Sequence, residues 1–351
     1  MKEKHLFFWF AVFSLSWLCC FLRIAHSDTS EKREKASDDS TPRQRFAFAL
    51  IGDHPYDATQ EAKVPFLMAE LDAAKIAFVI HDGDFKSGSS LCDDATFLSR
   101  YTLFQSSRHP FIYLFGDNEW ADCHRTAAGG FDPLERLARL RSIFTQGNVS
   151  LGRKTLPLTR QSDNPRYAKF RENVRWTYGE VLFVGFNIPG SNNNFPPYPT
   201  TLTDAQKAAN LVEATERNEA NVAWLDEAFT IAEDKKLRGL LLALQANMFV
   251  SPPSDTTLDG YQAFLAALEG EMRAFGKPVV LVHGDTHYFR IDKPTPQPSG
   301  GDPNGNRLLR LANFTRVETF GSPDVNWVCG MVDTKNPKLF SFIPQQVESE
   351  R

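Results

Sequence analysis

A regular alternation of short apolar runs with helix-like segments constrains the fold more than any other feature of this sequence. The apolar runs read as strands and are Phe46–Ile51, Ile76–His81, Phe111–Phe115, Val181–Asn187, Leu240–Leu244 and Pro278–His283. The segments between them have helical spacing and are Glu61–Ala74, Ala95–Ser107, Pro133–Phe144, Asp204–Ala232 and Asp259–Phe275. Strands that alternate with helices predict an α/β protein with largely parallel strand pairing.

The pattern changes after Tyr288, where only strands are predicted: Phe314–Phe320, Trp327–Val332 and Leu339–Ile343. We expect a second, more antiparallel portion of sheet there. The stretch Leu151–Arg175 is rich in Arg, Pro and polar residues and is predicted to be a long loop. Asp132 and Asp204 are the predicted N-caps of their helices. The folded domain is expected to span residues 45–347.

The first 27 residues have the order of a secretory signal peptide, since Lys2 and Lys4 precede an apolar run that ends before small residues near Ser27. The run is slightly long for a signal and short for a membrane span, so an uncleaved anchor and a buried helix are alternatives. Residues 28–44 have no aliphatic side chain beyond Ala36, which predicts a disordered, solvated linker. We expect a secreted or extracytoplasmic protein that meets a membrane only if the N-terminal segment is uncleaved.

Cysteines and glycosylation motifs agree with an oxidising compartment. Beyond residue 27 the chain has Cys92, Cys123 and Cys329, and one pair with one leftover is the natural count for a secreted protein. Cys92 and Cys123 each follow a strand-turn motif, so we favour this pair as a disulfide at one sheet rim, with Cys329 buried. Three buried thiols are the alternative. The triplets that begin at Asn148 and Asn313 fit the N-glycosylation pattern.

Charge and composition exclude several classes of function. Lys plus Arg total 39 against 43 Asp plus Glu, for a net charge of −4, which disfavours a nucleic-acid-binding surface. The 42% hydrophobic and 23% charged content is typical of a globular protein and excludes a mostly disordered chain. The sequence has no Walker loop, no Gly-x-Ser-x-Gly elbow, no His-Glu-x-x-His and no dinucleotide fingerprint.

Four predicted strands lead into a Gly-Asp pair: Gly52-Asp53, Gly83-Asp84, Gly116-Asp117 and Gly284-Asp285. The glycine allows a sharp turn, and ligands of α/β proteins bind beyond the carboxyl ends of strands. Carboxylates that converge there would raise one another's pKa, and a divalent metal is the simplest way to neutralise them. The sequence therefore predicts a metal site at the sheet rim.

The order of these motifs resembles that of the calcineurin-like metallophosphoesterases over nearly the whole domain. The family pattern is Asp-x-His, Gly-Asp-x-x-Asp, Gly-Asn-His-Asp/Glu, a lone His and Gly-His-x-His. The corresponding segments here are Asp53, Gly83-Asp84, Gly116-Asp117-Asn118-Glu119 and Gly284-Asp285-Thr286-His287. The resemblance implies a four-layer α/β/β/α sandwich of two packed mixed sheets, with two metal ions at the rim.

The chain departs from the family pattern where nitrogen ligands are usual, which indicates a divergent branch. The replaced positions are Pro55, Ser87, Asp117, Asn118 and Asp285, while Gln245 or Asn247 stands at the lone His and His287 is kept. Oxygen ligands suit Mn, Mg, Ca or Fe better than Zn. The implied ligands are Asp53, Asp84 and His287 for one ion, and Asp84, Asp117, Asp285 and an amide of Gln245 or Asn247 for the other.

The resemblance also implies a mechanism, in which a metal-activated hydroxide attacks phosphorus in line. The candidate catalytic residues are Asn118 and, as proton donors, His54 or His81, for which a supporting role behind the metal ligands or a core role is the alternative. The candidate substrate-binding residues are Lys86, Arg175 and Asn192. Glu119 is expected either to orient Asn118 or to pair with an Arg.

Three functional hypotheses follow. The leading one is a secreted metal-dependent phosphoesterase acting on a small phosphate ester or nucleotide. The second is a catalytically inactive relative that binds a metal or ligand at the cell surface. The third is a metal-dependent hydrolase of a non-phosphate ester.

Overall fold

Two mixed β-sheets form the centre of the molecule in the computed structural model, which describes residues 44–249, 258–293 and 311–348. The predicted signal peptide and nearly all of the predicted linker lie outside the described residues. The strands are β1 (Arg45–Ile51), β2 (Val79–His81), β3 (Phe111–Tyr113), β4 (Thr159–Arg160), β5 (Val174–Tyr178), β6 (Val181–Gly185), β7 (Gly239–Ala243), β8 (Val279–His283), β9 (Arg290–Asp292), β10 (Phe314–Glu318), β11 (Trp327–Asp333) and β12 (Phe340–Gln345).

The helices match the predicted ones closely. They are α1 (Ala58–Ala73), α2 (Asp94–Ser106), α3 (Pro133–Phe144), the single turn α4 (Gly190–Asn193), α5 (Asp204–Asp234) and α6 (Gln262–Phe275). Asp132 caps α3 as predicted, since its carboxylate accepts from Leu134 N at 2.8 Å. The predicted cap of α5 is wrong, because Thr203 Oγ1 accepts from the Gln206 amide and Asp204 is the first helical residue.

The strand order is β12-β11-β1-β2-β3 in the five-stranded sheet and β4-β5-β6-β7-β8-β10-β9 in the seven-stranded sheet. Strands β1, β2 and β3 run parallel, as do β6, β7, β8 and β10. Antiparallel pairs flank these parallel centres. The parallel pairing predicted from the strand-helix alternation is therefore confirmed.

The four predicted layers are confirmed by the packing. Phe48 and Leu50 of β1 share one buried cluster with Phe183 of β6, and the Phe48 and Phe183 ring centroids lie 5.4 Å apart between the sheets. On the other face of the larger sheet, alternate strand residues pack against α5 and α6. On the other face of the smaller sheet, Phe104 of α2 and Phe144 of α3 pack against Tyr113.

Two sequence predictions need correction. The last strands do not form a separate sheet portion, because β10 lies parallel to β8 while β11 lies antiparallel to β1. The predicted loop Leu151–Arg175 contains β4 and the start of β5, which pairs with β6 as a hairpin. Within the described residues, no helix is long and apolar enough to cross a membrane.

Candidate metal centre

The structure brings the four Gly-Asp carboxylates together at the carboxyl ends of β1, β2, β3 and β8. Asp285 N donates to both carboxylate oxygens of Asp53, each at 3.1 Å. The Gln245 amide nitrogen lies 3.2 Å from Asp84 Oδ2 and 3.3 Å from Asp117 Oδ1. Asp53, Asp84 and Asp117 are all buried. The four aspartates therefore lie close together at this rim, as the Gly-Asp pattern predicts.

The backbone at this rim is in the left-handed region at several candidate ligands. The φ angles are 53° at Asp53, 58° at Asp84, 78° at Asp285 and 63° at His287. A non-glycine residue in this region costs of order 1 kcal/mol or more, and such residues cluster at functional sites. The fold therefore holds these side chains in place at a cost in stability.

Glycines allow the carboxylates to approach the backbone closely. A Cβ atom on Gly284 would lie 1.9 Å from Asp53 Oδ2, and one on Gly116 would lie 2.0 Å from Asp84 Oδ1. A Cβ on Gly190 would lie 2.7 Å from Asp117 Oδ2. The carboxylates therefore occupy space that a side chain at any of these three glycines would take.

Electrostatics at the rim favour the presence of a cation. Burial, reinforced by neighbouring carboxylates, raises the pKa of Asp53 and of Asp84. Burial and the adjacent Asp117 raise the pKa of Asp285 to about 7 and that of Asp122 to about 8. Ionising this group of side chains together requires a nearby positive charge.

Asp84 is the most heavily hydrogen-bonded carboxylate of the cluster. Its Oδ1 accepts from Asn118 N at 3.0 Å, and its Oδ2 accepts from Asn118 Nδ2 at 2.7 Å, from Tyr56 OH at 3.0 Å and from the Gln245 amide. Asn118 therefore lies in the site as predicted, with its amide directed at Asp84 and Tyr56. Tyr56 is a site residue that sequence reasoning missed, because a tyrosine after a predicted turn carries no signal of its own.

His287 and Asp53 face each other as two hydrogen-bond acceptors. The His287 Nδ1 lies 3.0 Å from the carbonyl oxygen of Ser322, which can only accept, so Nδ1 carries the proton. Burial lowers the pKa of His287, which favours the neutral ring. Its Nε2 then presents a lone pair to Asp53 Oδ1 at 3.7 Å. A second ring nitrogen tied to a carbonyl is the usual arrangement of a metal-binding histidine.

The amide oxygens of Gln245 and Asn247 do not face the carboxylates. Gln245 Oε1 accepts from Gly190 N, and Asn247 Oδ1 accepts from Phe249 N. Asn247 instead contacts Asp285 through its backbone nitrogen, at 2.8 Å from Oδ2. Only the amide oxygen of such a side chain binds a cation, so neither residue is placed here as the amide ligand that the sequence predicts.

Across 44–249, 258–293 and 311–348, no group of three His, Cys, Asp or Glu side chains has an arrangement that could hold a metal ion. Protein N–H and O–H groups donate to Asp84 and Asp117. The ligands predicted for each ion therefore do not surround one common point. Asp53 and His287 still fit one ion, because Mg²⁺-type ions are often held by one or two protein ligands and keep several waters. Asp84 and Asp117 do not fit a second ion, since the Gln245 amide lies between them.

Ser191 and Asp122 extend the cluster and were both missed by sequence reasoning. The Ser191 hydroxyl lies 2.8 Å from Asp117 Oδ2 and 2.9 Å from Asp122 Oδ1. Asp122 also forms an ion pair with Arg125 at 2.5 Å. The position of Asp122 in a short 3₁₀ turn, away from any strand end, explains why the Gly-Asp pattern did not find it.

The histidines proposed as proton donors lie in the core. Burial lowers the pKa of His54 to about 4 and also lowers the pKa of His81. His81 Nδ1 accepts from Gly83 N at 3.2 Å, and its ring packs against Phe104. The structure gives neither ring a hydrogen bond to the carboxylate cluster among the described residues, which matches the core alternative.

Lys86 is buried next to the cluster. Its ammonium group donates to the carbonyl oxygens of Ser87 and Ser90, each at 3.0 Å. Burial lowers the pKa of Lys86, and Glu119 and the site carboxylates oppose this effect. Lys86 lines a cavity of about 590 Å³ together with Tyr56, whose hydroxyl reaches Asp84.

Arg175 and Asn192 are placed elsewhere than predicted. Arg175 lies on β5, where its guanidinium pairs with Glu227 at 2.6 Å and covers the Trp224 ring at 3.9 Å from the centroid. Both contacts are to α5, so Arg175 is a structural residue of that layer. Asn192 bonds to backbone carbonyls of neighbouring loops, and Ser191 is the residue of its turn that reaches the carboxylates.

Glu119 has neither of its two expected roles. It is fully buried, and its Oε1 accepts from Tyr113 OH at 2.6 Å, Gly116 N at 2.7 Å and Asp84 N at 3.1 Å. These bonds connect the turn that follows β2 with the turn that follows β3. Glu119 therefore positions the two turns that carry Asp84 and Asp117.

The predicted disulfide between Cys92 and Cys123 is confirmed, with Cα atoms 5.8 Å apart. Its sulfur atoms lie 3.5 and 3.7 Å from the carbonyl oxygen of Asn118, directly beside the site. Cys329 is buried and lies outside this pair. The disulfide closes the segment from Cys92 to Cys123, which contains the third motif, Gly116-Asp117-Asn118-Glu119.

The two predicted glycosylation positions differ in their surroundings. Asn148 is exposed, and its amide nitrogen lies 3.1 Å from Asp163. The Asn313 amide donates to the carbonyl oxygens of Met272 and Lys277 at 3.1 and 3.0 Å. Glycosylation stays a prediction at both positions, and Asn148 is the more accessible one.

No protein-family model and no curated protein matches this chain. Among solved structures, it is similar to a dimetal phosphatase from Danio rerio, with 13% identity, a TM-score of 0.47, and coverage of 86% of this chain and 99% of that one. It is also similar to a 5'-nucleotidase from Candida albicans, with 11% identity, a TM-score of 0.41, and coverage of 85% and 50%. A third is a purple acid phosphatase from yellow lupin (Lupinus luteus) seeds, with 12% identity, a TM-score of 0.42, and coverage of 87% and 55%. The chain thus spans about half the length of the latter two proteins.

Proposed function

We propose that this chain is a secreted, metal-dependent phosphoesterase of the calcineurin-like type that hydrolyses a small phosphate ester. The observation that carries the proposal is the pair of acceptors formed by Asp53 Oδ1 and His287 Nε2, 3.7 Å apart within a cluster of buried carboxylates. Two facing lone pairs repel unless a cation or a proton lies between them. The motif order at the strand ends supports the same family.

A divalent ion bound there would supply Lewis acidity toward a phosphoryl oxygen. Asp53 and His287 would hold the ion, and Asp285 fixes Asp53 through its backbone N–H. The Lys86 ammonium places positive charge near the cluster, where charge on phosphoryl oxygens needs compensation. Tyr56 stands between the carboxylates and the cavity, so a substrate in the cavity would contact its ring and hydroxyl.

The cavity supports a small substrate. Its volume of about 590 Å³ is in the range of small-molecule sites, which is roughly 300–1,000 Å³. Tyr56, Lys86 and Arg100 contribute to its lining. A monoester or nucleotide fits such a volume. Secretion is supported by the signal-like N-terminal pattern together with the disulfide.

A second candidate is a metal- or ligand-binding protein without turnover. The specific observation in its favour is that Asn118, which stands at the position of the family's leaving-group His, directs its amide at Asp84 and Tyr56. An amide cannot donate a proton as an acid. If no other group protonates the leaving oxygen, only esters with good leaving groups would react.

The test is a turnover assay on the full chain, purified without chelator and supplied with Mn²⁺, Mg²⁺, Ca²⁺ or Fe²⁺. The substrates are p-nitrophenyl phosphate, bis-p-nitrophenyl phosphate, a nucleoside monophosphate and p-nitrophenyl acetate. We expect metal-dependent hydrolysis of a phosphate ester, with Asp53→Asn lowering it at least ~100-fold because a neutral amide replaces the charged ligand to the ion. Asp204→Asn is the matched control, since Asp204 is fully exposed at the start of α5.

Each outcome separates the hypotheses. Metal binding without turnover of any ester would refute the enzyme and favour the non-catalytic protein. Hydrolysis of the acetate alone would indicate a non-phosphate esterase. Turnover that survives Asp53→Asn would contradict the assignment of the site.

A further inference from the structure

We infer that this centre holds one divalent ion, not two, because the carboxamide of Gln245 occupies the position between Asp84 and Asp117 that a second ion would need. The inference rests on the proposed function, since it takes the ion at Asp53 and His287 as given. It departs from the two-ion centre that the motif resemblance implies.

The orientation of the Gln245 amide follows from its hydrogen bonds. Its Oε1 accepts from the backbone N–H of Gly190, which can only donate a hydrogen bond. Its NH₂ group is therefore the end that points at Asp84 and Asp117, at 3.2 and 3.3 Å. The flipped amide would set its oxygen against two carboxylates and its NH₂ against an N–H. The network thus selects a donor, which cannot bind a cation.

Gln245 cannot easily move aside. It is completely buried, and its carbonyl oxygen accepts from Gly284 N at 3.0 Å. On another side, a Cβ at Gly83 would lie only 2.7 Å from Gln245 Cγ, so the backbone after β2 packs directly on this side chain. The backbone at Gly190, which donates to Gln245 Oε1, is packed as closely, since a Cβ there would lie 2.7 Å from Asp117 Oδ2 and 2.8 Å from Asp285 Oδ1. These contacts come from three different strand ends.

Asp84 Oδ2, the oxygen that shares the Gln245 amide with Asp117, has no remaining capacity for a second ion. Asn118 N donates to its Oδ1, and three side-chain donors share its Oδ2, from Tyr56, Asn118 and Gln245. A carboxylate offers about four acceptor positions, two on each oxygen, so the three side-chain donors already fill Oδ2. An ion that bridged Asp84 and Asp117 would have to displace the Gln245 amide, which donates to both carboxylates. The pair Asp53 and His287 lies outside this network and stays available.

The experiment counts ions rather than activity. The full-length protein is saturated with Mn²⁺, desalted and analysed for metal per chain, and its EPR spectrum is recorded. We expect one Mn²⁺ per chain, with the hyperfine spectrum of an isolated ion instead of the broadened spectrum of an exchange-coupled pair. Gln245→Glu replaces the donor by a ligand of the same shape and is expected to take up a second ion.

Two further variants control the result. Gln146→Glu adds the same charge at an exposed position of the chain and is expected to keep one ion. If Gln245→Glu fails to fold, Gln245→Ala opens the same space without adding a charge, and the same gain is expected.

The outcomes distinguish this inference from the proposed function. Two ions in the wild-type protein would overturn the inference and leave the proposed function intact. No ion in the wild-type protein would overturn both. One ion in the wild type and in every folded Gln245 variant would overturn the role given to the Gln245 amide.

Discussion

Glu318 is a buried carboxylate on β10 that faces the last Gly-Asp-Thr-His motif. The Thr286 hydroxyl donates to its Oε1, Tyr288 N donates to the same oxygen at 3.1 Å, and Arg290 pairs with Oε2 at 2.6 Å. These bonds lie on both sides of His287, whose backbone is in the left-handed region. Glu318 is therefore a positioning residue for the proposed ligand loop.

We predict that Glu318→Gln weakens Mn²⁺ binding by roughly 10–100-fold, the usual range for residues that orient metal ligands. The reason is that a neutral amide cannot serve the hydroxyl, the N–H and the Arg290 guanidinium together. Calorimetric titration measures the affinity. Glu227→Gln, which alters an ion pair with Arg175 on the α5 side, is the control and should bind like wild type. Equal affinities in all three proteins would contradict the role of Glu318.

Gly284 and Gly270 offer a matched pair of glycine substitutions. We predict that Gly284→Ala abolishes stoichiometric metal binding and destabilises the fold by ~1–3 kcal/mol, because its Cβ would overlap Asp53 Oδ2. Gly270→Ala has open space in α6 and should stabilise by ~1 kcal/mol while keeping the metal. Metal analysis and urea unfolding of both variants check this. Metal retained in Gly284→Ala would mean that Asp53 is not a ligand.

The local sequence identifies the aspartates of the site, but not the side chains that hydrogen-bond to them. A glycine-aspartate pair after an apolar run is visible in the chain, so Asp53, Asp84 and Asp285 could be predicted. Tyr56 and Ser191 reach the same carboxylates from turns that have no such pattern. Their role depends on distances between segments that are remote along the chain.

Helix α5 shows how a cap is chosen between two adjacent candidates. Thr203 Oγ1 accepts from Gln206 N at 3.3 Å, and the Gln206 side chain accepts from Thr203 N at 2.9 Å. This is a capping box, which satisfies two N–H groups that the helix leaves unpaired. Asp204 is already inside the helix and fully exposed.

We predict that Thr203→Ala lowers the free energy of unfolding by ~1 kcal/mol, since the first turn of α5 loses its cap. Asp204→Ala removes an interaction with the helix dipole and an exposed ion pair with Lys207, and it should cost ~0.3–1 kcal/mol, less than the cap. Urea unfolding of both variants at the same pH compares them. A larger effect for Asp204→Ala would restore the cap predicted from the sequence.

Strand β5 shows why one element was missed. Its inward residues Val174 and Trp176 are buried, and they alternate with Arg175 and Thr177. This two-residue period is a strand signal, but the polar and proline-rich residues before it dominated the interpretation of the whole stretch. The sequence could not predict that β10 and β11 lie in different sheets. The residues of a strand do not indicate which distant strand it pairs with.

The disulfide couples stability of the whole molecule to the site. It closes a loop with a sequence separation of 31 and lies against Asn118. We predict that Cys92→Ser with Cys123→Ser lowers the free energy of unfolding by ~3–4 kcal/mol, because the unfolded chain gains the entropy of that loop. Guanidinium unfolding of the variant and of the wild type with and without reductant measures this. A wild-type protein unaffected by reductant would contradict the prediction.

The amino-acid sequence by itself determined the α/β class, most strand and helix positions, and the convergence of aspartates at a sheet rim. Apolar periodicity and glycine turns act over a few residues, and parallel strands of an α/β sheet place their carboxyl ends at one edge. Only the tertiary structure decided that Gln245 presents its NH₂ to Asp84 and Asp117 while His287 presents a lone pair to Asp53. Hydrogen bonds of about 3 Å between different strand ends depend on how the two sheets pack, and no local pattern contains that distance.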